Sequence, residues 1–227
     1  MSLKRPEHDG KLLESYIMKA MNTTNKDYFT FNLHNSALVV GQTGSGKTEL
    51  VRSYIRRLEK AFTPDKMEYV IFDLKQVEFS PTFADGSRND DGAKTEYLLA
   101  PVMHGIDKDM DYLEELAELS EKRSSEDSPS PLIFIYIEEC DMAYLYKDRF
   151  FTAVKTINKN ATKANMKLMF STSRLSRDDV VPEDFIQSFD LVLAGTLAST
   201  ADEETVGMPG ATKLTDHSFM VRELAKE

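Results

Sequence analysis

The stretch Gly41-Gln-Thr-Gly-Ser-Gly-Lys-Thr48 constrains the fold more than any other part of the chain. It matches the pattern G-x-x-x-x-G-K-[ST], follows the apolar segment 36–41 and opens the segment 47–62, whose apolar residues recur with the period of an amphipathic helix. A glycine-rich turn between a strand and a helix directs backbone N–H groups at phosphate oxygens, and the helix N-terminus adds a favourable dipole. The stretch therefore predicts a phosphate-binding loop; the alternative, a helix-start turn without a ligand, is disfavoured.

The side chains of this loop have separate expected roles. Lys47 is expected to reach the outer phosphates of a nucleoside triphosphate as a point charge, and the hydroxyl of Thr48 is expected to bind Mg²⁺. The predicted nucleotide-binding residues run from the first glycine of the pattern to the residue after it: Gly41, Gln42, Thr43, Gly44, Ser45, Gly46, Lys47, Thr48 and Glu49.

Two acidic residues, Glu138 and Glu139, directly follow the apolar run LIFIYI, 132–137. Such a short run, rich in Ile and Phe, is typical of a strand buried on both faces. Two adjacent carboxylates repel each other unless a metal, a water or a cation compensates them. Beside a phosphate-binding loop, we expect Glu138 to hold the magnesium and Glu139 to act as the general base toward the attacking water. A solvated strand end is the alternative interpretation.

The order of the remaining segments predicts an α/β fold. Apolar strands alternate with helices, which is typical of a mainly parallel sheet with helices on both faces, whose ligands bind beyond the carboxyl ends of the strands. Residues 1–34 are expected to be an N-terminal extension, with a helix and then a short strand, and residues 35–227 one domain. The predicted strands are 36–41, 67–75, 132–137, 167–172, 189–195 and 217–224, and the predicted helices are 47–62, 107–123 and 147–164.

Composition limits the partners and the compartment. The formal net charge is −10 over 227 residues, so the broad basic face of a free-standing duplex-DNA binder is missing. The missing basic face is weaker evidence against DNA binding by a ring, because a few cations per subunit can line its central channel. The single cysteine, Cys140, cannot form an internal disulfide, which favours a reducing compartment. We therefore expect a cytoplasmic location, or the cytoplasmic part of a membrane-tethered protein.

Five segments together resemble the FtsK/SpoIIIE family of DNA-translocating ATPases. They are HNSALVVGQTGSGKTELVRSYIRRL, YVIFDLKQVEFS, LLAPVMHGIDKDMDYLEELAELSEKR, IFIYIEECDMAYL and ANMKLMFSTSRLS. They occur in the family's order, and the resemblance covers roughly residues 34–222. It implies a RecA-like P-loop core, a ring that is usually a hexamer, and ATP-driven movement of double-stranded DNA. It also implies membrane-anchoring or DNA-orienting domains outside this chain.

The chain departs from the family's pattern at several positions. Glu138 replaces an aspartate, and the shorter Ser173 replaces a glutamine that senses the γ-phosphate. Where the family has cations that act across the subunit boundary, this chain has no obvious one, so that Arg174 and Arg177 are the remaining local candidates for a catalytic cation. The residues in those neighbourhoods are instead Asp190, Ala198, Asp202 and Glu203.

Three functions are therefore weighed. The first is an ATP-hydrolysing DNA translocase that serves chromosome or plasmid segregation or conjugative transfer, which the segment 69–80 favours. The second is a protein-export ATPase of the same fold, which the acidic composition favours. The third is a nucleotide-binding scaffold with little hydrolysis, which the altered Glu138 and Ser173 and the missing trans cations favour.

Overall fold

A computed structural model describes residues 20–22, 27–29, 35–73, 78–82, 87–127, 131–138, 142–173, 181–215 and 217–224. Within them, two short strands form an antiparallel pair and six further strands form one sheet. The pair is β1 (Ala20–Asn22) and β2 (Asp27–Phe29). The sheet contains β3 (Ala37–Val40), β4 (Met67–Asp73), β5 (Leu132–Glu138), β6 (Met166–Thr172), β7 (Leu191–Ala194) and β8 (Met220–Glu223).

The six-stranded sheet has the order β4-β5-β6-β3-β7-β8. The first five strands in this order run parallel to one another, and β8 pairs antiparallel with β7. In the parallel part the carboxyl ends of the strands meet at one edge, which we call the carboxyl edge. Because β8 runs the other way, Met220 at its start pairs with Ala194 at the end of β7, and the residues before β8 also lie at this edge.

Helices cover both faces of the sheet, as the sequence predicts. They are α1 (Lys47–Ala61), α2 (Ile106–Arg123), α3 (Met142–Leu145), α4 (Lys147–Ala164), α5 (Glu183–Ile186) and α6 (Thr200–Val206). The apolar face of α1 packs on one side of the sheet, where Tyr54 and Leu58 meet Phe134 of β5. On the other side, α2 and α4 pack with Leu113 and Val154 against residues such as Ile135.

Burial from both sides explains the continuous apolar runs in the sequence. All seven residues of β5 and all seven of β6 are buried, so neither strand shows the alternation of a half-exposed strand. Alternate residues of β5 contact opposite helical layers, with Ile135 in one core cluster and Phe134 in the other. The predicted mainly parallel sheet is therefore confirmed.

Lys167 of β6 is buried in this core, only 1% exposed, at the edge of the sheet opposite the carboxyl edge. Its Nζ lies 4.6 Å from the centre of the Tyr54 ring on α1. Burial disfavours the charged ammonium and lowers the pKa of Lys167 to about 7, while the charge of Asp190 raises that pKa in part. The burial of Lys167 therefore lowers the free energy of unfolding by an amount that depends on pH.

We expect Lys167→Met to raise the free energy of unfolding at pH 7 by up to about 5 kcal/mol. Between pH 7 and the ordinary lysine pKa, the unfolded chain binds a proton that the folded chain does not. The free energy of unfolding of the wild type should therefore rise by about 1.4 kcal/mol per pH unit in this range, and the advantage of the variant should shrink. Urea unfolding at pH 7, 8 and 9 measures both effects. Lys60→Met, at an exposed position, is the control. A difference in the free energy of unfolding between Lys167→Met and the wild type that does not change with pH would contradict the lowered pKa of Lys167.

Part of the N-terminal extension is described. Residue range 27–29 forms a short strand, as expected, and β1 pairs with it. The helix predicted before them lies outside the described residues. Among the helices of the described residues, none combines the length and the apolar character needed to span a bilayer.

Candidate active site

The loop between β3 and α1 lies at the carboxyl edge and is anchored to the strands on both sides of β3. The N–H of Gly41 donates to the carbonyl oxygen of Thr172 at the end of β6 (3.3 Å), and the N–H of Gln42 donates to that of Thr196 after β7 (2.7 Å). Gly44 and Gly46 have φ angles of 87° and 92°, a region in which residues with a Cβ atom are strained. This backbone requirement explains the glycines of the pattern. The loop is thus held as a fixed cradle of N–H groups at the start of α1.

Lys47 occupies the concave side of this loop. Its Nζ donates to the carbonyl oxygens of Gly41 (2.8 Å) and Gln42 (3.2 Å), and its side chain is largely buried. The ammonium group is therefore surrounded by the loop's own backbone, where the sequence analysis expects the outer phosphates of a nucleotide. An anion in the cradle would meet both the N–H groups and this positive charge.

The first turn of α1 contacts the end of β5. The Oγ1 of Thr48 donates a 2.9 Å hydrogen bond to the Oε1 of Glu138, which is 9% exposed. One hydroxyl and one carboxylate beside a phosphate cradle fit Mg²⁺, which in nucleotide sites keeps several waters and uses few protein ligands. Among the described residues, no group of three His, Cys, Asp or Glu side chains is arranged to hold a metal. A metal held here would therefore share its coordination with phosphate oxygens and water.

Strand register adds two polar residues beside Glu138. Asp73 at the end of β4 and Ser171 of β6 both pair with Glu138, so the three side chains form a row on the face that α1 covers. Asp73 is 1% exposed; its Oδ2 accepts hydrogen bonds from the N–H groups of Glu78 and Phe79, both 2.9 Å. Its Oδ1 has no hydrogen-bond partner within the described part of the chain. Asp73 is not among the site residues predicted from the sequence, although it ends an apolar strand just as Glu138 does.

The segment after β4 is also tied to α1. The Nη2 of Arg52 donates to the carbonyl oxygen of Glu78 (2.8 Å) and to its Oε2 (2.6 Å). The Nη1 of the same guanidinium donates to Glu49 one turn earlier in α1 (3.1 Å). Arg52 and Asp73 therefore hold residues 78–79 between the helix that follows the loop and the strand beside the acids. We call this arrangement the 78–79 tether.

Several predicted residues cannot be placed. Glu139, Arg174 and Arg177 lie outside the described residues, so the general-base and trans-cation assignments remain predictions. Ser173 directly follows β6 and is partly exposed.

The acids that replace the family's trans cations have structural contacts. The Oδ2 of Asp190 accepts hydrogen bonds from the N–H (2.6 Å) and Oγ (2.9 Å) of Ser36. Asp202 Oδ2 accepts a hydrogen bond from the Oγ of Ser199 (2.9 Å) at the start of α6, and Glu203 Oε1 accepts one from the N–H of Thr212 (2.7 Å). These carboxylates stabilise turns, and none of the three contacts is with the loop at 41–48.

Comparison with known proteins gives sequence matches over a short part of the chain. No protein-family model matches the chain. The type VII secretion system protein EssC of Staphylococcus aureus is 38% identical over 64 residues, which are 26% of this chain and 4% of EssC. The chain thus spans a small part of the length of this relative.

Solved structures match almost the whole chain. The cytoplasmic domain of the type VII secretion ATPase EccC from Thermomonospora curvata superposes with a TM-score of 0.67 at 15% identity, over 99% of this chain and 28% of that one. The pCW3 conjugation coupling protein TcpA, solved with ATPγS, superposes with a TM-score of 0.69 at 17% identity, over 97% of this chain and 68% of that one. The fold is therefore that of a RecA-like P-loop ATPase domain, as the sequence predicts.

Proposed function

We propose, from the premise that this chain has the fold of FtsK/SpoIIIE-type ATPase motor domains, that it binds ATP with Mg²⁺ and hydrolyses it. The observation that carries the proposal is the hydrogen bond between Thr48 and Glu138 beside a loop that encloses Lys47. This contact brings together a phosphate cradle, a positive charge and an acid from segments 90 residues apart in the sequence. TcpA, which shares the fold, was solved with an ATP analogue, and this supports ATP as the ligand.

Each site residue has a proposed role. Within residues 41–49, the backbone N–H groups that are not used in the loop's own hydrogen bonds bind the phosphates, and Lys47 neutralises charge on the outer ones. Thr48 and Glu138 hold Mg²⁺, which when bound screens the charge of the phosphate oxygens. Glu139 takes a proton from the attacking water as that water approaches the γ-phosphorus. Arg174 is the proposed cation that stabilises charge in the transition state.

Self-association into a ring, with six subunits as the proposed number, would supply the rest of the site. Asp190, Asp202 and Glu203 are anionic and accept hydrogen bonds within turns, so the role of a trans-acting cation falls to other residues. Arg174, two residues after the end of β6 in the sequence, is the candidate for reaching a neighbouring subunit. We place the domain in the cytoplasm, which the single cysteine and the cytoplasmic domain of EccC support. Membrane-anchoring or DNA-orienting domains would lie outside this chain.

The cargo proposed first is double-stranded DNA. The segment 69–80 supports it, because this segment resembles the DNA pumps of the family more closely than the exporters. The similarity in fold to a conjugation coupling protein supports it as well. The 78–79 tether lies in the same segment and connects it to the nucleotide-binding helix α1.

The second candidate is a motor whose cargo is a polypeptide. The short sequence match with EssC, a secretion protein, favours it. So do the ion pairs of the exposed face of α1: Arg52 pairs with Glu49 and Glu78, and Arg56 lies 3.7 Å from Glu49 and from Asp91. Arginines neutralised in this way add little attraction for DNA phosphates.

Steady-state ATP hydrolysis with and without duplex DNA separates the two cargoes. For a DNA motor we expect stimulation that disappears steeply as salt rises from about 50 to about 200 mM, because binding releases counterions. We also expect the rate per subunit to increase with protein concentration, because a ring site is shared between neighbours. A Glu139→Gln preparation is assayed in parallel, and its residual rate of hydrolysis measures the contribution of contaminating ATPases. Stimulation that is absent at every protein concentration would reject DNA as the cargo and favour the polypeptide.

A further inference from the structure

His217 lies directly against the nucleotide-binding loop. It follows β7 and α6 in the chain and precedes β8, and its N–H donates to the carbonyl oxygen of Ser45 in the loop (3.3 Å). A Cβ atom added to Gly46 would lie 2.6 Å from the Nδ1 of His217 and 3.2 Å from its Cα. The imidazole is thus packed on the backbone where α1 begins, and the residue is exposed.

The backbone of His217 is unusual as well. Its φ angle is +60°, in the left-handed region; among the described residues, Asn165 at the end of α4 is the other non-glycine residue with a positive φ. Asparagine and histidine are both enriched in this region among residues with a Cβ atom, but a positive φ is uncommon for either. Its occurrence directly beside a binding loop suggests that the side chain serves the site.

The topology indicates which part of a nucleotide His217 would meet. Glu138 and Thr48, the proposed metal ligands, lie toward β5, and this position assigns the outer phosphates to that side of the loop. In the order β5-β6-β3-β7-β8, the turn before β8 is on the opposite side of β3. A nucleotide whose outer phosphates point toward β5 therefore extends its nucleoside toward His217.

We infer that His217 contacts the nucleoside of the bound nucleotide, with its imidazole stacked on a purine base. The hydrogen bond to Ser45 holds the backbone of His217, and its exposed ring lies against Gly46, so the ring presents a flat surface at little entropic cost. Stacking on an aromatic side chain stabilises the two-ring purines more than the pyrimidines. The site should therefore prefer purine nucleotides. This inference rests on the proposed nucleotide binding and adds a selectivity that the loop pattern does not provide.

The substitution His217→Gly tests it, because glycine accepts the positive φ without strain and keeps the backbone N–H. Binding of ATP, CTP and inorganic tripolyphosphate is measured by titration calorimetry, and the folded state is checked by thermal unfolding. We expect the Kd of ATP to rise about tenfold, that of CTP to rise less, and that of tripolyphosphate to stay unchanged. His217→Asn, which tolerates a positive φ and lacks the ring, should reproduce the loss.

Asn165→Gly is the matched control, since it makes the same kind of change at the other left-handed position, far along the chain from the loop. It should leave all three Kd values unchanged. An unchanged Kd for ATP in His217→Gly, or an equal rise for ATP, CTP and tripolyphosphate, would overturn the nucleoside contact. If the wild type itself bound no ATP, the proposed function would fail first, so the two failures are distinguishable.

Discussion

Replacing Lys47 by alanine is expected to weaken ATP binding by at least about 100-fold. The side chain lies inside the loop, with its Nζ 2.8 Å from the carbonyl oxygen of Gly41, so removal of the ammonium leaves phosphate charge without its nearest cation. Charge-assisted hydrogen bonds are worth about twice as much as neutral ones, and the buried position of Lys47 strengthens them further. Titration calorimetry with ATP in the presence of Mg²⁺ measures the loss.

The control for this substitution is Lys60→Ala, in the last turn of the same helix, where the side chain is exposed. It removes an identical charge and should leave the Kd of ATP unchanged. Both variants should unfold at temperatures close to that of the wild type, because neither side chain belongs to an apolar core cluster. Wild-type affinity in Lys47→Ala would refute nucleotide binding by the loop 41–48, and with it the proposed ATPase.

The substitution Glu139→Gln should lower the rate of ATP hydrolysis by about 100-fold to about 10,000-fold, with ATP binding retained. The amide is close in size to the carboxylate but cannot accept a proton from water at neutral pH. The cradle, Lys47 and the pair Thr48–Glu138 are unaltered, so ATP should be held without turnover. Single-turnover hydrolysis together with a filter-binding measurement of retained ATP gives both quantities.

Glu121→Gln, at an exposed position near the end of α2, is the matched charge control and should hydrolyse ATP at the wild-type rate. Two outcomes would contradict the assignment of Glu139 as the general base. If Glu139→Gln and the wild type have equal and measurable rates, another group is the base. If both bind ATP and neither turns it over at any protein concentration, the chain is a nucleotide-binding scaffold.

The sequence predicts the fold well because the core signals are local. The helix at 147–164 has the predicted bounds, and α2 begins one residue before the predicted 107. Fully buried strands leave continuous apolar runs that need no partner to be recognised. Strand ends differ from the predicted ones by at most three residues, as for β7, which begins at 191 instead of 189, because pairing across the sheet decides where a strand ends.

The site divides into a local and a non-local part. Residues 41–49 follow one another in a pattern that requires their backbone geometry, so the loop could be predicted. His217 could not, because the strand order brings it to the loop from elsewhere in the chain. Asp73 lies beside Glu138 through strand register, but it also has a local signal. A terminal acid on an apolar strand, as in MEYVIFD, is the signal that could have identified Asp73. The resemblance to FtsK/SpoIIIE-type motor domains is confirmed at the level of the fold.

The 78–79 tether has a mechanical consequence. Arg52 lies one turn beyond Thr48 on α1, and its guanidinium bridges Glu49 to Glu78, while Asp73 fixes the other side of the same segment. A rotation of α1 on nucleotide binding would therefore pull on residues 78–79 through these hydrogen bonds. Because the Phe79 side chain is buried in the core on this face of the sheet, such a displacement would be passed on to the side chains packed against it.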